Sequence, residues 1–106
     1  MTLDELRALP VTQTSGIARA EAADDGQTHN YIVDCIMRLY AGDYGTIPPE
    51  DTESNNADLT AGEGRIIARY DKAQQLQGDI YIIANFSREV PGQEANYIMI
   101  LYCREY

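Results

Sequence analysis

The chain contains no tryptophan, one phenylalanine, one histidine (His29) and two cysteines, Cys35 and Cys103. Two cysteines do not make the disulfide framework of a small exported domain. No stretch approaches the roughly 18 apolar residues that a membrane-spanning helix needs. The opening residues, MTLDELRALP, are acidic and have only a short apolar run, unlike a signal peptide. These absences predict a reduced, cytoplasmic protein with no membrane association.

Motifs for the common chemistries are also missing. The Gly62-Glu63-Gly64 run lacks the spacing and the lysine of a phosphate-binding loop. No cysteine and histidine spacing fits a zinc site, and His29 has no serine or cysteine near it in the sequence to act as a nucleophile. We therefore expect no cofactor and no metal ion, and we expect His29 to lie on a solvated turn at the start of a helix.

Basic residues are scarce and unevenly placed. Residues 20–64 contain ten acidic residues and one basic residue, Arg38, so this segment has a net charge of −9. The rest of the chain has seven acids and seven bases, so the formal net charge of −9 belongs wholly to that segment. Such a surface repels nucleic acid and suits a basic protein partner, or imitation of nucleic acid. The alternative is that the acids only keep the protein in solution.

The length and the 44% hydrophobic content predict one small domain, residues 1–106, with one modest core. Helical spacing of apolar residues is clearest in Thr28–Tyr40, with Thr28 as N-cap and with Asp34 and Arg38 paired on the opposite face. The sequence also predicts shorter helices and a short extended edge segment; their ranges are Thr2–Leu9, Glu50–Leu59 and, for the extended segment, part of Val11–Ala20.

Three strands are predicted in the last part of the chain, over Arg65–Tyr70, Asp79–Phe86 and Tyr97–Cys103. Because polar loops join them in succession, they are typical of an antiparallel meander. The predicted fold class is therefore α+β, with a three- to four-stranded antiparallel sheet and the principal helix packed on one face.

The other face of these strands is not polar. It carries Tyr81, Ile83, Tyr97, Met99 and Leu101. A sheet with one solvated face alternates apolar and polar residues more regularly. We therefore expect a cover for this face, which the N-terminal helix, a second copy or a partner could supply. The five residues are a candidate self-association face.

An acidic stretch from Tyr40 to Gly64, without Lys, Arg or His, joins the main helix to the strands. A segment this long without hydrophobic periodicity is usually functional or runs over the surface. Its candidate partner-binding residues are Asp43, Tyr44, Glu50, Asp51, Glu53 and Asp58. Asp43 with Glu50 or Asp51 could form a carboxylate pair for acid–base catalysis. The stretch also has many oxygen ligands, but it lacks the central glycine of a calcium-binding loop of the EF-hand type. The alternative is that Asp43, Asp51 and Asn55 cap turns and helix ends.

Four stretches carry a family resemblance: RLYAGDYG (Arg38–Gly45), Glu50–Tyr70, IYIIANFS (Ile80–Ser87) and ILYCREY (Ile100–Tyr106). They show a helix end, a Gly-Asp-Tyr-Gly corner, a Glu-Asp…Asn segment and strands that close on Glu-Tyr. From Tyr31 onward the chain resembles a family of small plasmid-related proteins of conjugative elements in gut bacteria. Tyr44 stands where that family has tryptophan, and the Pro48-Pro49 pair and the longer loop 87–96 depart from it. The resemblance implies a mobile genetic element and assigns no catalytic residue.

The leading hypothesis is a non-enzymatic, acidic protein-binding module of a mobile genetic element. Its most concrete form is an inhibitor of a host defence nuclease, of the anti-CRISPR or anti-restriction type, whose acids imitate nucleic acid in a basic channel. The alternative is a structural or regulatory protein of the element that self-associates, as in a homodimer. The third is a small metal-dependent hydrolase that uses the carboxylates of the acidic stretch.

Overall fold

The computed structural model describes residues 1–106 and has the predicted α+β class. The helices are α1 (Ser15–Ala22), α2 (Gln27–Tyr40) and α3 (Pro49–Ala61). The strands are β1 (Val11–Gln13), β2 (Gly64–Tyr70), β3 (Ile80–Phe86) and β4 (Tyr97–Tyr102). Short 3-10 turns span Asp4–Ala8 and Cys103–Glu105. None of the helices is both long and apolar enough to cross a membrane.

The four strands form one mixed sheet in the order β1-β4-β3-β2. The β2–β3 and β3–β4 pairs are antiparallel, as predicted. The prediction of a wholly antiparallel sheet is wrong at one edge, because β1 lies parallel to β4. A three-residue strand that leads directly into a helix has no hairpin partner in the sequence, so tertiary packing alone decides its neighbour and its direction.

The N-terminal part is less regular than predicted. The predicted helix Thr2–Leu9 is only a 3-10 turn, Asp4–Ala8. The reciprocal bonds of its capping box are nevertheless formed: Thr2 N–H donates to the Glu5 carboxylate (3.1 Å) and Glu5 N–H to the Thr2 hydroxyl (3.3 Å).

Helix α1 was not predicted. It begins at Ser15, directly after the three extended residues of β1, and the Thr14 hydroxyl caps it by accepting from Ile17 N–H. Only Ile17 and Ala20 of α1 are buried. A helix of eight residues with two buried positions has too little periodicity to stand out in the sequence.

Helix α2 begins one residue before the predicted start, and its cap differs from the prediction. The Asp24 carboxylate accepts from the backbone N–H and the hydroxyl of Thr28 (2.6 Å to the hydroxyl) and from Gly26 N–H. Thr28 itself is fully buried, and its hydroxyl oxygen accepts from Gln75 N–H (3.1 Å). Asp24 is therefore the capping side chain, and Thr28 ties the start of α2 to the loop that precedes β3.

One face of the sheet and the helices enclose the hydrophobic core. Every second strand residue points into it and lies in register with its neighbours, as in Ile66–Ala84–Ile98 and Ala68–Ile82–Ile100. The helical side contributes Leu6, Ile17, Ala20, Ile32, Cys35, Leu39 and Tyr40. Full burial of an isoleucine or leucine side chain contributes roughly 1.5–3 kcal/mol, which makes this face the main source of stability.

Strand β2 lies at the edge of the sheet, yet side chains of α3 bind its outward peptide groups. The Asn55 amide is 1% exposed; its oxygen accepts from Ile67 N–H (3.0 Å) and its nitrogen donates to Ile67 O (2.9 Å). The Asp58 carboxylate accepts from Arg65 N–H (3.0 Å). One asparagine thus makes the two bonds that a neighbouring strand would otherwise make.

The turn that follows α2, residues 42–46, completes this closure, and we call it the acidic corner. Arg69 N–H donates to Tyr44 O (3.0 Å), and Arg69 O accepts from Thr46 N–H (2.8 Å). Gly45 lies between these two groups with φ +70°, and a Cβ there would overlap the Arg69 carbonyl. Only glycine therefore lets the corner approach the strand this closely.

We predict that Asn55→Ala lowers the free energy of unfolding by roughly 2–4 kcal/mol, because the N–H and C=O groups of the half-buried Ile67 both lose their partner. Urea unfolding followed by circular dichroism measures the change. Asn56→Ala is the matched control, since Asn56 is exposed on the same helix and the change in helix propensity is equal. Equal unfolding midpoints for the two variants would contradict this role of Asn55.

Candidate functional site

The corner after α2 fixes Asp43. Its carboxylate accepts from Arg38 Nε (2.7 Å) and from Gly45 N–H (3.0 Å). The predicted Asp34–Arg38 pair does not form, because Arg38 turns to Asp43 and lies over the Tyr70 ring, 4.8 Å from its centroid. The Tyr70 hydroxyl donates to Asp43 O (2.7 Å). Asp43 is half-exposed, but its charge is already paired within the chain.

The Arg38 guanidinium holds the pKa of Asp43 below its usual range, and Gly45 N–H lowers it further. Burial raises the pKa of the neighbouring Tyr44 and Tyr70 hydroxyls. The Tyr44 side chain is only 7% exposed and belongs to the core cluster. Of the predicted partner-binding residues at this corner, Asp43 can reach solvent and Tyr44 serves the core.

The first half of α3 carries three acids that remain unpaired: Glu50, Asp51 and Glu53. We call them the acidic start of α3. Glu50 and Glu53 are exposed and Asp51 is half-buried. Their side chains form no hydrogen bond or salt bridge within the chain, and α3 contains no basic residue. Two of them, Glu50 and Asp51, lie in the first turn, where the helix dipole favours negative charge.

Asp58, the last predicted partner-binding residue, has a structural role instead. It is half-buried and accepts from Arg65 N–H. A Cβ on Gly64, which has φ +123°, would overlap the Asp58 carboxylate, so the glycine and the acid share one small space. Only Glu50, Asp51 and Glu53 of the predicted set therefore lie together on the surface without an intrachain partner.

The predicted self-association residues do share one sheet face. The strand register places Tyr81 opposite Leu101 and Ile83 opposite Met99 on β3 and β4, and Tyr97 follows on β4. We call these five residues the open face, because the helices and the N-terminal turn pack on the other side of the sheet. The N-terminal helix, one of the three covers considered for this face, therefore does not cover it. Ile83 and Leu101 are buried by their neighbours, and the other three are half-buried.

Three further residues, Arg65, Glu105 and Tyr106, lie beside the open face, and the sequence analysis did not assign them to it. The Tyr106 ring meets Tyr81 edge-on, with centroids 5.4 Å apart, and Arg65 lies over Tyr106 at 5.4 Å. Together with Glu105 and the apolar strand residues they line a shallow groove of about 320 Å³. Arginine and tyrosine enrichment is typical of protein interfaces and could have indicated them.

The remaining chemistry-bearing groups are dispersed. His29 is exposed and its Nδ1 lies 2.5 Å from a Glu21 carboxylate oxygen, which links α1 to α2. No group of three or more His, Cys, Asp or Glu side chains is placed to hold a metal ion. Cys35 is buried and Cys103 half-buried, both as free thiols, and burial raises the pKa of each. A metal-dependent hydrolase gains no support from this geometry.

Comparisons of the chain with known protein families, curated proteins and solved structures give no match. The likeness to the plasmid-related family therefore stays a prediction.

We predict that the ion pair at the corner makes stability depend on acid pH. Because the pKa of Asp43 is lower in the folded than in the unfolded chain, its ionised form stabilises the native state above the ordinary aspartate pKa of about 3.9. This contribution is lost as the pH falls through the folded pKa. Asp43→Asn should lower stability at neutral pH by less than about 1 kcal/mol, since the pair is half-exposed.

Thermal unfolding at several pH values between about 7 and 2.5 tests this prediction. The wild type should lose stability more steeply than Asp43→Asn below about pH 4. Asp34→Asn removes the same charge from α2, where Asp34 is exposed and has no hydrogen-bond partner, and serves as control. Parallel pH curves for wild type and Asp43→Asn would contradict the assignment.

Proposed function

We propose that this protein is a non-enzymatic protein-binding module that recognises a basic surface through the acidic start of α3. The observation that carries the proposal is the lack of any intrachain partner for Glu50, Asp51 and Glu53 on a helix without a basic residue. The structural acids Asp43 and Asp58 already have partners within the chain. Among the predicted partner-binding residues, the three unpaired carboxylates are therefore the ones available to another molecule.

The physical basis is charge complementarity. The segment 20–64 has a net charge of −9, and α3 lies within it at the β2 edge of the sheet. The negative electrostatic field of this segment speeds the encounter with basic protein surfaces and repels nucleic acid. Since the carboxylates are exposed or half-exposed, the attraction weakens as salt screens it over a Debye length of about 8 Å at physiological ionic strength.

A basic surface that binds nucleic acid is the partner that best fits these charges. We propose that the chain is an inhibitor carried by a mobile genetic element, and that its acids occupy the nucleic-acid channel of a host defence nuclease of the CRISPR or restriction type. Two things support this proposal: the unpaired acids on a rigid helix, and the resemblance to plasmid-related proteins. The target should then be released by its own nucleic acid, because both compete for one basic channel.

A second candidate function rests on the open face. An aromatic and apolar sheet face outside the helix-packed core favours self-association as a structural or regulatory protein of the element. Its test is the molar mass in solution over a wide concentration range. A monomer at every concentration would contradict it.

We predict that E50Q/D51N/E53Q weakens binding of the basic partner by about ten-fold or more at low salt, since each exposed charge pair contributes roughly 0.2–1 kcal/mol. The partner is captured from bacterial lysate on the tagged wild-type protein at low and at moderate salt and identified by mass spectrometry. Its affinity for each variant is then measured by titration. Amide side chains preserve size and helical propensity better than lysine would.

The matched control is D71N/E89Q/E94Q. It removes three exposed acids that lie outside residues 20–64, so its net charge equals that of E50Q/D51N/E53Q. It should bind as the wild type does. Equal weakening by both triple variants would reduce the effect to net charge and contradict a site on α3. Binding that is unchanged in E50Q/D51N/E53Q, or a captured partner that nucleic acid does not release, would contradict the proposed inhibitor.

A further inference from the structure

The two edge strands of the sheet, β1 and β2, differ in whether their outward peptide groups are hydrogen-bonded. Along β2, the outward peptide groups of Arg65, Ile67 and Arg69 are bonded by α3 and the acidic corner. Strand β1, at the other edge, has no covering element, and all three of its residues are exposed. An edge left open beside one that is closed is a site where a further strand can be added.

The hydrogen bonds of Pro10 and Thr14, the residues before and after β1, show which peptide groups of β1 point away from β4. Pro10 O accepts from Ile98 N–H (2.8 Å), and Thr14 N–H donates to Ile100 O (3.1 Å). Because bonding direction alternates along a strand, the groups of Thr12 also face β4, and those of Val11 and Gln13 face outward. No backbone or side-chain group of the chain bonds to these outward groups.

We propose that β1 pairs antiparallel with β1 of a second copy about a two-fold axis, which joins the two sheets into one of eight strands. Val11 then lies opposite Gln13 of the second copy, and Thr12 lies opposite its own counterpart. In this register both outward N–H groups and both outward C=O groups of each copy are bonded, so the edge satisfies itself with four hydrogen bonds.

The charge distribution favours a second copy as the occupant of this edge. Strand β1 reads Val-Thr-Gln and carries no charge, and it belongs to the part of the chain whose acids and bases balance. The acidic helix α3 packs on β2, three strand spacings or about 14 Å across the sheet. Two copies that meet at β1 therefore keep their acidic helices on opposite outer edges, where like-charge repulsion is least.

The side chains beside β1 also fit this arrangement. A groove of about 390 Å³ runs next to the strand on the open-face side; it is lined by Pro10, Val11, Thr12, Gln93, Glu94, Tyr97 and Met99. Across the two-fold axis it lies beside the same groove of the second copy, so Thr12, Tyr97 and Met99 of both chains can bury apolar surface next to the new hydrogen bonds. The inference keeps self-association, the second candidate function, but places the contact at the β1 edge and not at Tyr81 on the open face; it does not depend on the acidic start of α3.

The test uses the proposed register, in which Val11 of one copy lies opposite Gln13 of the other. V11K/Q13K places two like-charge pairs across the axis, whereas V11K/Q13E places two opposite-charge pairs there. Both positions are exposed, so both variants should fold. Sedimentation over a concentration series should show dimerisation of the wild type and of V11K/Q13E, and V11K/Q13K should associate more weakly than V11K/Q13E by about ten-fold or more.

Amide hydrogen exchange supplies a second readout. The N–H groups of Val11 and Gln13 should become protected as the protein concentration rises, whereas those of Thr12 and Thr14, already bonded to β4, should not change. Tyr81→Lys, on the open face away from β1, should dimerise like the wild type. A monomeric wild type, equal association of the two double variants, or a dimer lost only in Tyr81→Lys would overturn the proposal. None of these outcomes bears on the charge-driven partner, which the α3 variants test.

Discussion

The outward peptide groups of β2 need hydrogen-bond partners, and this need determines where α3 lies. Helix α3 has one large apolar side chain, Leu59, so hydrophobic burial gives it little attachment to the rest of the protein. The bonds from Asn55 and Asp58 to the backbone of β2 supply that attachment. Since an unpaired buried peptide group costs about 1–3 kcal/mol, the position of α3 and the closure of the edge stabilise each other.

This requirement also divides the acids into two groups. Carboxylates that face the sheet or the corner accept hydrogen bonds and fix the backbone, as Asp43 and Asp58 do. The carboxylates of the acidic start of α3 make no such bond: Glu50 and Glu53 are exposed, Asp51 is half-buried, and the helix dipole favours the negative charge of Glu50 and Asp51 in the first turn. The site that we propose for a basic partner can therefore change without loss of the fold, because the proposed binding charges and the structural charges are carried by different residues.

The sequence predicted what periodicity and polarity control. The apolar stripe of α2 and the alternation in β3 and β4 depend on burial, so the sequence predicted which strand residues share each face of the sheet, although it led us to expect a cover over the face that is open. The parallel pairing of β1, the short helix α1 and the role of Asn55 were missed. The pairing of β1 and the role of Asn55 depend on contacts between residues distant in sequence, such as Thr14 with Ile100 or Asn55 with Ile67, and a propensity pattern carries no trace of such a contact. Helix α1 was missed because only two of its eight residues are buried.

The acidic residues lie near the β2 edge of the sheet and not near the β1 edge, and this placement affects which molecules can reach β1. An unprotected strand edge promotes indiscriminate association, and proteins commonly blunt it with charge or cover. Here the covered edge carries the acids and the three residues of β1 are uncharged, with Glu94 in the groove beside them, so charge does not protect the open edge but determines what can reach it. A nucleic acid or another acidic protein is repelled by the field of the whole molecule. A second copy that approaches with its own neutral edge first meets the weakest part of that field, and only its register then decides whether the strands pair.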